Sequence, residues 1–221
     1  MLFNNSVIVQ VPATEKRKRS TTRERVLDAA ERLFVEGGFH ATSVKDIAEA
    51  AGYTTGAIYS SFDGKGGLFL AVYRRRSDAQ VAFWRDASVS SPDDVAVAAA
   101  ATLKAVTYEP GWYAATFEFF SYAIRHPDLG SEVGQIMRDV EPVFANLLGP
   151  AADSAPLPFE RLAPIVVALL RGLAWSSFLD PDGADDTLFA DAVSVLVGVA
   201  PKHSRRRTKP RLSPGQRRNK S

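Results

Sequence analysis

An all-α protein is the fold class this sequence predicts, on three observations. Apolar residues recur at three- and four-residue spacing through almost every segment from 22 to 200, the period of one helix face. Prolines at Pro92, Pro110, Pro127, Pro150, Pro156, Pro158 and Pro181 punctuate those segments, as helix ends do. No alternating apolar and polar run of convincing length occurs apart from residues 6–11, so strands have no evident place.

The elements follow in order. Val26, Ala29, Ala30, Leu33 and Phe34 share one face of a first helix, about residues 22 to 36, which Gly37 and Gly38 close. Ser43 with Asp46 three residues later forms a variant capping box and opens a short helix that turns Val44, Ile47 and Ala48 inward. Gly52 ends it, and Thr54 caps a third helix reaching about residue 61. Asp63 and Gly64 break the chain before a long helix over about 65–86. Further helices are expected near 92–108, 111–126, 131–148, 159–179 and 185–199. Pro142 and Pro164 fall inside two of them and should kink them or mark different boundaries.

The chain has 221 residues, 46% hydrophobic and 24% charged, an ordinary globular composition with material for one or two domains. It has no cysteine, so neither a disulfide framework nor a thiolate metal site is available, and a cytoplasmic location fits. The longest apolar run, residues 162–170, ends at Arg171 and is too short to span a bilayer. No membrane partner is expected.

The net charge of +2 conceals a partition. Residues 1–25 carry six basic and two acidic groups, residues 201–221 carry nine basic groups and no acid, and the stretch between is strongly acidic. Basic ends on an acidic body suit a polyanion such as DNA, or are simply solvated tails. Both ends lack apolar periodicity. The division expected is a flexible basic arm over 1–21, a DNA-binding head over 22–64, a helical ligand-binding and dimerisation domain over 65–200, and a basic disordered tail over 201–221.

The centre of the head carries the functional signal. Ala48, Gly52 and Ile58 follow the spacing of a helix-turn-helix. A small residue lets the helices cross, glycine permits the left-handed turn, and the isoleucine packs the second helix onto the first. That second helix turns Thr54, Thr55, Gly56, Tyr59 and Ser60 outward, small or polar groups suited to a major-groove floor. Its N-terminal amides, and Lys65 beyond it, suit phosphate.

The stretch from Arg23 to Phe34, with Gly37-Gly38-Phe39, Ala41-Thr42-Ser43-Val44, Asp46-Ile47-Ala48, Ala51-Gly52, Ile58-Tyr59, Phe62, Lys65 and Leu68, resembles the tetracycline-repressor (TetR) family. The resemblance covers about residues 22–73. It implies a dimeric, all-α bacterial transcription regulator, usually a repressor released from double-stranded DNA by a small ligand. On that resemblance Thr42 and Ser43 touch phosphate and Thr54, Thr55 and Gly56 open the recognition helix. Tyr59 and Lys65 contact the backbone, and Lys45 and Ser60 complete the set. Two departures stand out. Ser61 replaces a common aromatic, which should loosen packing beneath the recognition helix. Gly66-Gly67 replace helix-favouring residues and should soften the start of the fourth helix, at roughly 1 kcal/mol per glycine.

Beyond the head, residues 111–126 are crowded with aromatics. Tyr113, Phe117, Phe120 and Ile124 make one stripe and Trp112 and Phe119 lie beside it, a pattern of core or of a pocket wall. The resemblance favours a pocket, bordered by Phe83 or Trp84, Tyr108, Trp112, Phe117, Phe120 and Phe144, which would take an apolar or flat aromatic effector. Glu118 reads as solvated. Arg171 sits in a strongly apolar helix and could bind a ligand carboxylate, meet an acid across a dimer, or extend its head to water. Leu169, Leu173 and Ser176 on one helix, with Phe189, Ala192 and Leu196 on the next, form the expected dimer interface. A homodimer would require a pseudo-palindromic operator.

An enzyme finds little support. His40, His126 and His203 lack metal-ligand spacing, and no nucleophile elbow or phosphate loop occurs. No catalytic residue, metal site or cofactor is expected. The competing reading is a DNA-associated architectural or interaction protein without a small-molecule inducer.

Overall fold

A computed structural model describes residues 13–85, 91–107, 109–149, 155–183, 185 and 187–201. Among these residues the secondary structure is helical throughout. The order is α1 (Ala13–Ala41), α2 (Val44–Ala51), α3 (Thr55–Phe62), α4 (Gly64–Arg85), α5 (Pro92–Thr107), α6 (Pro110–Ala123), α7 (Pro127–Leu148) and α8 (Phe159–Leu179). A 3₁₀ turn at Pro181–Gly183 and α9 (Leu188–Leu196) complete it.

The local signals in the head act as their chemistry dictates. Ser43 and Thr54 are the N-caps of α2 and α3 and accept hydrogen bonds from the amides of Asp46 (3.1 Å) and Ala57 (3.3 Å). The Ser43 hydroxyl in turn donates to the Asp46 carboxylate at 2.6 Å. Gly52 closes α2 with φ 73°, the left-handed conformation that glycine adopts without penalty. Gly38 (φ 81°, ψ 172°) breaks α1 where the paired glycines predict its end.

Several boundaries differ from expectation. The first helix reaches back to Ala13, so residues 13–21 are helical rather than an irregular arm. Lysine, arginine and glutamate are good helix formers, but with Ala13 the one apolar residue among 13–21 they leave no periodicity to read. The alternating run at 6–11, the start of the arm and the tail beyond 201 lie outside the described residues. Helix α7 starts at Pro127, four residues earlier than expected, because proline is well tolerated in a first helical turn. Pro142 and Pro164 lie within α7 and α8 without ending either. Helix α9 is shorter at both ends than the 185–199 span expected.

Two cores hold the molecule. The first joins α1 to α4 with Trp112, Ala115, Phe119 and Ala123 of α6 and Val133 and Ile136 of α7. The second gathers Trp84, α5, the C-terminal half of α7, and α8 and α9. The head therefore shares its core with the larger domain. Phe39 lies centrally, edge-on to Phe69 (5.4 Å) and Phe119 (5.4 Å), while Phe69 packs on Phe34 (4.8 Å) and stacks on Phe119 (4.4 Å) and Trp112 (5.2 Å). Such ring pairs add about 0.5–1.5 kcal/mol each beyond area burial.

Gly66 and Gly67 are close-packing residues, which corrects the expected soft hinge. A Cβ on Gly67 would overlap the carbonyl oxygen of Phe62, and one on Gly66 would meet Leu129 Cδ1 at 2.8 Å and the Tyr122 ring at 3.4 Å. Ser61 is exposed, and Phe62 fills the space beneath α3 instead, so the missing aromatic loosens nothing. Helix α8 also corrects an expectation. Counted over its whole 21 residues it is long and apolar enough to cross a membrane, with a third of its most apolar window buried. The apolar run of nine residues understated it because Arg171 divides a longer helix.

Candidate functional site

The face built by α2 and α3 presents Lys45, Thr54, Thr55, Gly56, Tyr59 and Ser60 to solvent. Ile58 (1% exposed), Ile47 and Ala48 anchor the opposite side, so the helix pair is held rigidly while its polar side stays open. Tyr59 is 59% exposed, and its ring lies beside Gly64, 3.5 Å from where a Cβ would stand. The Tyr53 hydroxyl donates to Thr22 Oγ1 at 3.1 Å and ties the turn to α1. The Arg23 guanidinium lies 4.4 Å from the Phe62 ring centre, at an exposed position beside α3.

Two of the residues expected on phosphate are engaged elsewhere. Thr42 is buried, and its hydroxyl lies 2.7 Å from the Gly38 carbonyl and 3.0 Å from that of Leu33, both acceptors. It stitches the kinked end of α1. Lys65 Nζ donates to the carbonyls of Phe39 (3.0 Å), His40 (3.1 Å) and Thr42 (3.2 Å) and lies 4.6 Å from the Phe39 ring centre. All three ammonium hydrogens are therefore spent on the C-terminal carbonyls of α1, which a cation satisfies and which attract it through the helix dipole. Burial lowers the Lys65 pKa, and the nearby Glu118 charge opposes that shift. Glu118, expected to be solvated, accepts the His40 amide at 2.7 Å. It joins α6 to the same corner.

A second site lies inside the larger domain, a cavity of about 260 Å³ between α4, α6, α7 and α8. Trp84, Trp112, Phe117, Phe120, Phe144 and Arg171, all expected there, line it. Tyr108 lies outside the described residues, and Phe83 points to solvent (64% exposed). The aromatic stripe of α6 divides by depth. Tyr113, Phe117 and Phe120 face the cavity, Trp112 serves both cavity and first core, Phe119 is wholly in the core, and Ile124 is exposed.

The polar wall of the cavity was missed from sequence, because Tyr73, Arg76, Ser77 and Gln80 of α4 read only as an ordinary helix surface. Arg76 donates to Glu31 and Glu109 and lies 4.6 Å from the Trp112 ring centre. Its neighbour Arg75 pairs with Asp28 (2.7 Å), Glu24 (3.3 Å) and Glu31. These arginines bind α4 to α1 above the cavity. Among the described residues the buried Trp84 indole N–H has no hydrogen-bond partner. Among the described residues no group of three His, Asp or Glu is placed to hold a metal ion.

Burial pushes the Tyr73 phenol above its ordinary pKa of 10.0, against a smaller lowering by Arg171. Tyr113 is raised as well, by burial first and by Tyr73 next. A raised folded pKa means that stability is fully present below the unfolded value and is lost as pH rises from about 10 through the folded pKa. The Tyr73→Phe, Tyr113→Phe double variant should therefore show a shallower fall in melting temperature than the parent between pH 10 and 11. Parallel curves would contradict the burial.

On the expected dimer helices, the structure separates inner from outer residues. Phe189 is fully buried against the second core, so it cannot meet a partner. Leu169, Leu173, Ala192 and Leu196 are partly exposed and Ser176 is exposed. Ile165 and Leu179 of α8 and Leu188 and Val195 of α9 are large apolar residues left on the surface. Ile165, Leu169, Gly172, Ser176 and Leu179 form one helical stripe, and open space surrounds Gly172. The expected set shares Leu169 and Ser176 with this stripe, and because both faces of α8 are apolar the sequence alone does not separate its inner side from its outer one.

The family model described as bacterial regulatory proteins, tetR family, matches residues 26–72. The HTH-type transcriptional repressor KstR2 of Rhodococcus jostii (strain RHA1) is 37% identical over 82 residues, covering 37% of this chain and 40% of that protein, so the match spans well under half of the relative's length. An uncharacterized HTH-type transcriptional regulator of Mycobacterium tuberculosis, MT1294, is 28% identical over 200 residues, 86% of this chain and 92% of the relative. Among solved structures, the transcriptional regulator FadR from Bacillus subtilis in complex with stearoyl-CoA shares the fold at TM-score 0.61 and 14% identity, covering 79% of this chain and 97% of that one.

Proposed function

As the chain belongs to the TetR family of bacterial transcriptional regulators, we propose that it is a homodimeric repressor of a pseudo-palindromic operator, released when a small apolar or aromatic effector enters the α4–α6–α7–α8 cavity. The α2–α3 face enters the major groove, with Thr54, Thr55, Gly56 and Ser60 toward base edges and Lys45, Ser43 and Tyr59 toward phosphate. The outer stripes of α8 and α9 pair with their symmetry mates, and burying that apolar surface drives association. Its site of action is the cytoplasm, where the DNA lies.

The observation that carries this reading is the position of Trp112. Its ring is a wall of the cavity and also stacks on Phe69 at 5.2 Å, and Phe69 packs against Phe34 of α1. Helix α4 likewise lines the cavity with Tyr73 and Trp84 and joins the head through Gly66 and Gly67. An effector that moves either ring or helix shifts a close-packed contact of the head, and a ligand favouring that shifted state lowers operator affinity.

The test is selection of genomic fragments by the purified protein, followed by anisotropy titration of the retained sites. The retained fragments should share an inverted repeat, and Tyr59→Ala combined with Thr55→Asp should weaken binding to it at least about tenfold, the equivalent of 1.4 kcal/mol. Ile165→Glu should yield a monomer by sedimentation, with operator affinity falling in parallel. Fragments sharing no repeat, or variants that bind as the parent does, would overturn the reading.

A further inference from the structure

We propose that the effector is a compact aryl or alicyclic carboxylic acid, its carboxylate held by Arg171 with the phenol hydroxyls of Tyr73 and Tyr113 as flanking donors. The inference rests on reading the cavity as the effector site and adds the chemical class of what fills it.

The charges around the cavity lead to it. Arg76 and Glu109 both line the cavity, but they pair with each other, and Arg76 also holds Glu31. Arg171 has no such partner. Among the described residues its guanidinium makes no ion pair and no hydrogen bond, although it projects from the long apolar helix α8, next to the buried Leu170. Among the described residues of the wall, the one uncompensated charge is therefore positive.

An apolar ligand filling the cavity would expel water from that guanidinium and leave it unsatisfied, which is costly. A carboxylate removes the cost. Its two oxygens match the planar donor fork of arginine, and charge-assisted bidentate pairs are roughly twice as strong as neutral hydrogen bonds. Tyr73 and Tyr113 extend the donor set. Both line the cavity near enough to Arg171 to feel its charge, and neither hydroxyl bonds to a described residue. A phenol is protonated at neutral pH, and burial moves both further from ionising, so each has a hydrogen to give.

The remaining wall selects the body of the acid. Trp84, Trp112, Phe117, Phe120 and Phe144 supply flat apolar surface, suited to rings packed face or edge. At about 260 Å³ the cavity falls near the low end for small-molecule sites, which favours one or two fused rings over a long chain. Among the described lining residues a cationic ligand finds only Glu109, already committed to Arg76.

Isothermal titration of the full-length protein with naphthoate, naphthamide and protonated naphthylmethylamine tests this. The three share a ring system and differ in the charge of the head. Naphthoate should bind at least about tenfold more tightly than naphthamide, and the amine most weakly. In Arg171→Gln the ratio of acid to amide affinity should collapse to within about twofold, while Arg171→Lys should retain part of it. Should Arg171→Gln lose its melting transition, the Arg171→Lys variant and the wild-type ratio decide alone. Equal binding of acid and amide to the wild type, or a ratio that Arg171→Gln leaves intact, overturns the carboxylate assignment and leaves the effector cavity standing. Binding of none of the three overturns both.

Discussion

Gly67→Ala is expected to lower the melting temperature by about 6–12 °C, corresponding to about 3 kcal/mol of overpacking at about 2–4 °C per kcal/mol for a chain of this size. The added methyl would occupy the position of the Phe62 carbonyl oxygen. Backbone cannot rotate aside as a side chain can. Relief requires parting α3 from α4, and both Ile58 and Phe62 are buried against that motion. Gly66→Ala meets mainly the end of the Leu129 side chain, so its cost should stay near about 1 kcal/mol. The sign of the change is informative. If these glycines acted as a flexible helix start, alanine would stabilise by up to about 1 kcal/mol per position through helix propensity. Differential scanning calorimetry of the two single variants separates the outcomes, and a raised melting temperature for Gly67→Ala would restore the hinge.

Lys65→Met should destabilise by about 2 kcal/mol, or about 4–8 °C, and leave the salt dependence of operator binding unchanged. The methionine keeps the apolar stem but removes the donor from the Phe39, His40 and Thr42 carbonyls. Charge-assisted bonds to three acceptors would be worth more in isolation. The corner is partly open, and water recovers some of what is lost. A phosphate contact would behave oppositely, with little thermal effect and a loss of about 0.9 from the slope of log affinity against log salt. Melting curves and anisotropy titrations from low to high salt distinguish the two roles. A reduced slope with an unchanged melting temperature would return Lys65 to the DNA.

Much of the head was legible because its signals are local. Ser43, Gly52 and Thr54 act on amides and dihedrals within a few residues of themselves, so spacing alone locates their helices. The cavity was legible for a different reason. Large aromatics at helical intervals on 112–120 must pack against something, and a partly exposed stripe beside a buried one becomes a wall. The roles of Lys65, Thr42 and Glu118 could not be read, since each depends on a carbonyl or amide brought near only when α1 kinks at Gly38. The same holds for Gly66 and Gly67, whose value lies in what approaches them.

By itself, then, the sequence determined the helical class, the helix-turn-helix and its capped boundaries, the outward polar face of α3, and most of the apolar cavity lining. Each follows from periodicity or from chemistry within one turn. Tertiary structure alone decided which cations are spent and which remain available. Arg75 and Arg76 are paired with carboxylates, and Lys65 is bonded to backbone carbonyls, all 23–51 residues away in the chain, whereas Arg171 is left facing the cavity. Charge is counted in sequence, but pairing is a matter of distance, and distance exists only once the helices have packed.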